Sequence, residues 1–84
     1  KPKTTQMKIQ IITPDKTLFE GEATLVQLPG LDGSFEILKN HAPLISALKK
    51  GSLKIKTEGG KEQFFEIRGG VIEVIKNKVL ILAE

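Results

Sequence analysis

His41 is the only imidazole in the chain, and it stands in a punctuated stretch, LPGLDGSFEILKNHAPLISALKKG, that fills residues 28–51. A histidine can serve as a base or a metal ligand, but each role needs company. A metal site needs further ligands at suitable spacing, and the sequence has no cysteine and no second histidine. The hydroxyls near it belong to Ser34, Ser46 and Ser52, none framed by the G-x-S-x-G turn that presents an attacking serine. Asp32 and Glu36 could face His41 across the loop, yet an aspartate just before Gly33 suits a turn without any catalysis. Phosphate chemistry fares no better. There is no G-x-x-x-x-G-K-[ST], and Gly30-Leu31-Asp32-Gly33 is short and sets a carboxylate where a phosphate would want donors. These residues favour a binding module over an enzyme, with no cofactor and no metal. His41 is left to steady its own turn or to touch a partner.

The composition narrows the partners. A chain of 84 residues makes one domain, and one this short buries only about 60–65% of its unfolded surface, so the core is thin. Without cysteine there is no disulfide framework, which fits a reducing compartment. Four Phe with no Trp or Tyr leave little for stacking bases or sugars. The net charge of +3 lies in the second half: residues 1–42 balance five Lys against five acids, and residues 43–84 hold eight Lys and Arg against five acids. Charge this low and this interspersed argues against a nucleic-acid reader. Lys49, Lys50, Lys54 and Lys56 are the densest basic group. They suit a polyanion or glycan module, but alternating positions on a half-buried strand need no more than a solvated face. No uncharged apolar run approaches the roughly 20 residues of a membrane helix. The apolar stretch Leu44-Ile45-Ser46-Ala47-Leu48 is far too short to span one, so no direct lipid insertion is expected. No secretory signal is visible. Residues 1–6 are expected to be a disordered tail or a cloning remnant, with residues 7–84 a single domain.

The elements that must position these residues have a period of two. Met7-Lys8-Ile9-Gln10-Ile11 alternates, as does Leu53-Lys54-Ile55-Lys56-Thr57-Glu58. Gly59 and Gly60 read as a two-residue hairpin turn, Gly69 and Gly70 as another break, and Asn77 as a third turn. Pro14-Asp15 and Pro29-Gly30 read as turns at strand ends. No window has a capped helical period, so the pattern predicts an all-β sandwich or barrel. In residues 18–28 the apolar parity changes: Phe19, Gly21 and Ala23 share one face, Val26 and Leu28 the other. A β-bulge near Thr24 and Leu25 would reconcile them. Some apolar residues fall on the polar side. Phe64 would share an outer face with Glu62, Glu66 and Arg68, Val71 and Ile75 would flank Glu73, and Leu80 and Leu82 oppose Val79, Ile81 and Ala83. Two readings stand: a patch that a partner covers, or strands buried on both faces at sandwich corners.

The order TPDKTLFEGEA, LPGLDGSFEIL, HAPLISALKKG, GGVIEVIKNKVLILAE resembles the N-terminal β-sandwich of the ε subunit of bacterial-type F1Fo ATP synthase, over residues 7–84. The resemblance implies a flattened antiparallel β-sandwich of about ten short strands in two sheets. It implies a non-catalytic rotor subunit at the foot of the central stalk, bound to the γ subunit and the c-ring, coupling proton-driven rotation to ATP synthesis. It places the chain peripherally on the cytoplasmic face of the bacterial inner membrane. Carried over by position, Gly30, Leu31, Asp32, Gly33 and Ser34 would face the c-ring, and His41, Ala42, Pro43, Leu44 and Ile45 would lie beside γ. The sequence departs from many relatives with Ser34 for an acid, Glu36 for a glycine, and Lys39-Asn40 for Pro-Gly. Relatives usually continue into a helical hairpin that carries an inhibitory function and, in some, an ATP site. This sequence ends at Glu84, so neither ATP binding nor hairpin-type inhibition is expected of it.

Overall fold

Alternating apolar residues become strands when one face can be buried, and among the described residues every regular element is one. In the computed structural model residues 7–38, 41–57 and 59–84 are described. The expectations for residues 1–6, the Lys39-Asn40 turn and Glu58 fall outside them. The strands are β1 (Met7–Ile12), β2 (Thr17–Ala23), β3 (Leu25–Gly30), β4 (Gly33–Leu38), β5 (Leu44–Leu48), β6 (Gly51–Lys56), β7 (Glu62–Ile67), β8 (Gly70–Ile75) and β9 (Lys78–Ala83). Parity decides what each buries. β1 turns Met7, Ile9 and Ile11 inward, β6 Leu53 and Ile55, β8 Ile72 and Val74, and β9 Val79, Ile81 and Ala83. All these side chains join one apolar cluster, and among the described residues no polar residue is buried.

The ladder runs β2-β1-β9-β8-β5-β3-β6-β7, with β4 paired to β3. Its thinnest step is β5 to β3, a single pair of Gly30 with Leu48. That step divides the curled sheet into a five-stranded layer, β2-β1-β9-β8-β5, and a four-stranded layer, β4-β3-β6-β7. The sandwich therefore has nine strands among the described residues. The far ends of the path, β2 and β7, meet through Phe19 and Phe65, edge to face with ring centres 5.9 Å apart.

Four details depart from the sequence reading. Ladder β1 to β9 is parallel, not antiparallel. A parallel pair needs a long connection, and here the rest of the chain supplies it, so no local turn signal announces it. The parity change at Thr24 is a bend, not a bulge. β2 pairs with β1 while β3 pairs with β4, β5 and β6, so the chain changes layer there. Thr24 fastens the corner by donating to the Lys56 carbonyl from its N–H (2.8 Å) and its hydroxyl (3.0 Å). The register shift lies instead between Ile11 and Ile12, opposite Phe19 and Thr17. Pro29 and Gly30 end β3 and are buried, so the turn itself is Leu31-Asp32. The β6–β7 connection is longer than the two glycines: the last ladder pair is Lys56 with Glu62, and Thr57 N–H donates to Lys61 O at 2.8 Å.

Candidate interaction surface

Two of the expected contact segments are displayed by neighbouring elements. The first is the tip of the β3–β4 hairpin, where Gly30 pairs with Gly33 and Leu31 and Asp32 make the turn. Leu31 is 62% exposed at that tip, with Asp32, Gly33 and Ser34 also exposed. Gly30 is different: it is buried at the root, so it shapes the tip rather than presenting a surface.

The second segment leads into β5. His41, Ala42 and Pro43 are exposed, Leu44 is half-buried, and Ile45 is 72% exposed. The His41 N–H donates to Leu38 O at 3.1 Å, and its ring Nδ1 lies 2.7 Å from Ala42 O. A carbonyl can only accept, so Nδ1 carries the proton. The imidazole thus steadies its own turn, one of the two roles left to it by the sequence. Of the serines, Ser46 donates to Ala47 O at 3.4 Å, while Ser34 and Ser52 are exposed. Among the described residues no group of three or more His, Asp or Glu is placed to hold a metal ion.

The structure sets the two segments at opposite ends of β5. Leu48 pairs with Gly30 at one end and Leu44 with Val74 at the other. Four residues of strand separate them, about 13 Å at the usual rise.

Register reveals a surface that parity alone could not assemble. Gln10, Leu80, Glu73 and Ile45 lie side by side across β1, β9, β8 and β5. Ile12, Leu82, Val71 and Ala47 make the next outward row on the same strands. Lys8, Lys78 and Ile75 make a third, at the rim. Across β9, β8 and β5 the result is a largely apolar outer face around Glu73, with Lys8 and Lys78 at its rim and Glu20 and Glu22 beyond it on β2. Shallow depressions of about 390 Å³ beside Glu73 and Leu80 and about 300 Å³ beside Pro43 and Ile45 share Ile75 as a wall. Of the two readings of these apolar residues, the outer-face patch matches Val71, Ile75 and Leu82, all substantially exposed. Phe64 is also outward, on the opposite layer, where Leu38 of β4 is exposed as well.

The basic group is partly neutralised. Lys54 Nζ lies 3.9 Å from Glu62 Oε2, and Lys56 stands opposite Glu62 in the ladder. Lys49 and Lys50 are exposed in the β5–β6 turn.

Residues 6–84 match the family model of the ATP synthase delta/epsilon chain β-sandwich domain. The ATP synthase epsilon chain of Chlorobium limicola is 48% identical over 77 residues, covering 92% of this chain and 88% of that one. That of Brevibacillus brevis is 42% identical over 79 residues, covering 94% of this chain and 60% of the relative. Among solved structures, a chain of the Euglena gracilis mitochondrial ATP synthase OSCP/F1/c-ring assembly superposes with a TM-score of 0.90 at 22% identity. The match covers 95% of this chain and 51% of that one. A chain of the Tetrahymena thermophila mitochondrial ATP synthase central stalk/c-ring gives 0.77 at 20% identity, covering 98% of this chain and 66% of that one. At these identities the structures establish a shared fold.

Proposed function

This chain belongs to the family of ATP synthase delta/epsilon β-sandwich domains, and on that premise we propose that it is a non-catalytic rotor subunit of the central stalk. It joins the γ subunit to the c-ring and turns with them, so that ion-driven rotation reaches nucleotide chemistry performed elsewhere. The observation that carries the reading is the 48% identity with an ATP synthase epsilon chain over 92% of this chain. The geometry adds a division of labour. The exposed Leu31 and Asp32 tip is a narrow contact suited to the loops of the ring. Ile45, with the apolar face of β5, β8 and β9, is a broad contact suited to γ. His41, Ala42, Pro43 and Leu44 lead into that face, and Pro43 stiffens the approach by fixing its own φ. A rotating joint benefits from surfaces already ordered before contact, because less side-chain freedom is lost on binding. In a bacterial cell a rotor subunit of this kind would lie peripherally on the cytoplasmic side of the inner membrane.

The test is a pair of pull-downs with the full chain, one with purified γ and one with detergent-solubilised c-ring. Leu31→Asp should lose the ring and keep γ; Ile45→Asp should do the reverse. Wild-type chain binding neither partner would end the proposal. A heparin column that retains the wild type to high salt while both pull-downs fail would favour the polyanion reading instead.

A further inference from the structure

The root of the β3–β4 hairpin is clamped from three sides. From β4, the Phe35 ring lies against Gly30: a Cβ on Gly30 would fall 2.8 Å from two ring carbons and 2.7 Å from Gly33 O. From β5, Gly30 pairs with Leu48, and the Lys49 N–H donates to Pro29 O at 2.9 Å. From β6, Gly51 abuts Pro29 so closely that a Cβ there would fall 2.8 Å from the Pro29 Cβ. Ladder neighbours elsewhere share at least three register pairs, as β3 and β6 do, whereas β3 and β5 share one. Hydrogen bonds alone therefore hold the hairpin weakly at the seam between layers. Side-chain packing on glycine backbone supplies the rest, in the manner of an aromatic ring covering a strand glycine.

We infer that Phe35 is a positioning residue: its ring, pressed on Gly30, fixes the direction in which Leu31 and Asp32 project from the seam. The inference rests on the reading of that tip as the ring contact. Phe35 is half-buried and belongs to the rim of the core, not to the contact itself. A tip held at its root meets the ring already aimed, and the ordering cost of docking falls.

The experiment compares Phe35→Ala with Phe19→Ala in the full chain, since Phe19 is also a half-buried rim ring but lies on β2. Phe35→Leu serves as the conservative variant. Amide hydrogen exchange at Leu31, Asp32 and Gly33 should quicken roughly tenfold in Phe35→Ala beyond any global loss of stability, and not in Phe19→Ala. Affinity for detergent-solubilised c-ring should fall roughly tenfold in Phe35→Ala with γ affinity unchanged. Phe35→Leu should recover most of both. Equal effects from Phe35→Ala and Phe19→Ala, once matched for stability, would overturn the inference. Should Phe35→Ala not fold, Gly51→Ala pushes on Pro29 from the other side and must quicken the same three amides, or the clamp is refuted. The exchange measurement needs no partner. If Leu31→Asp leaves ring affinity intact, the ring-contact reading fails while exchange still decides whether the clamp exists.

Discussion

Two hairpins in this molecule reverse the chain over two residues, and they do it by different means. In β8–β9 the turn residues Lys76 and Asn77 have φ of 49° and 64°, both positive, as the primed turns that suit strand twist require. In β3–β4 neither Leu31 nor Asp32 has a positive φ; the strain is taken up by Gly33 at 126°. The first turn is right by its own geometry. The second has no positive φ at its central pair, and its root is braced by the Phe35 ring on Gly30 and, from neighbouring segments, by Gly51 and Lys49 against Pro29. The consequence is visible in what each hairpin displays. β8–β9 carries its apolar surface along its flank, in Val71, Ile75 and Leu82, and charge at its tip. At its tip β3–β4 presents a single exposed apolar side chain, Leu31, while Leu38 is exposed at the far end of β4. One hairpin offers area and the other offers a point. Area offers apolar surface to remove from water, and a point sets position.

That contrast predicts the largest effect on the flank. Leu82→Asp would place a carboxylate in the middle of the apolar face, beside Val71 and Ile12. Burying an unpaired charge against γ should cost at least about 3 kcal/mol, weakening γ binding roughly a hundredfold or more. Folding should change little, because Leu82 is 49% exposed. Isothermal titration with γ checks the first part and a thermal melt the second. Unchanged γ affinity would mean that the flank is not a contact.

Next in size is the supported root. Gly30→Ala would drive a Cβ into Gly33 O and the Phe35 ring, and overpacking of this kind costs about 1–3 kcal/mol. For a domain of this length that lowers Tm by roughly 5–20 °C. A melt indistinguishable from wild type would show that the root is looser than its geometry. Leu31→Asp should be milder. It removes one partly exposed side chain from the ring contact, about 1.5–2 kcal/mol or roughly ten- to thirtyfold in ring affinity, with no change in Tm.

How far the residues alone led to this picture differs between the same two regions. The β8–β9 hairpin was legible: Asn77 marked the turn, and parity put Val71 and Ile75 on the outer side of Glu73. The β3–β4 hairpin is legible as a loop, but the residue types that favour turns point to Pro29-Gly30. Pro29 lacks an N–H, yet a strand end tolerates that, and its carbonyl is used by Lys49. What fixed the turn two residues later was the packing of Phe35 and Gly51, which no local pattern reports. The layer change at Thr24 and the parallel pairing of β1 with β9 failed to show for the same reason: their partners are far along the chain. The outer apolar face showed only in part. Leu44-Ile45-Ser46-Ala47-Leu48 has apolar residues on both parities, and only the register with β8 says that Ile45 and Ala47 point out while Leu48 is buried.

The smallest predicted effect tests whether the β8–β9 turn stands on its own geometry. Asn tolerates the left-handed region through local hydrogen bonding, alanine does not, and glycine adopts it without penalty. Asn77→Ala should therefore cost about 1 kcal/mol, lowering Tm by roughly 4–8 °C. Asn77→Gly should match or slightly exceed wild type, since glycine at the second position is the favoured choice in this turn. Both variants should keep full γ and ring affinity, because the turn lies at the Lys8 and Lys78 end of the face, beyond its apolar rows. If Asn77→Ala instead weakened γ binding beyond its effect on folding, the flank would depend on its turn as the β3–β4 tip depends on its root. The difference between the two hairpins would then be one of degree.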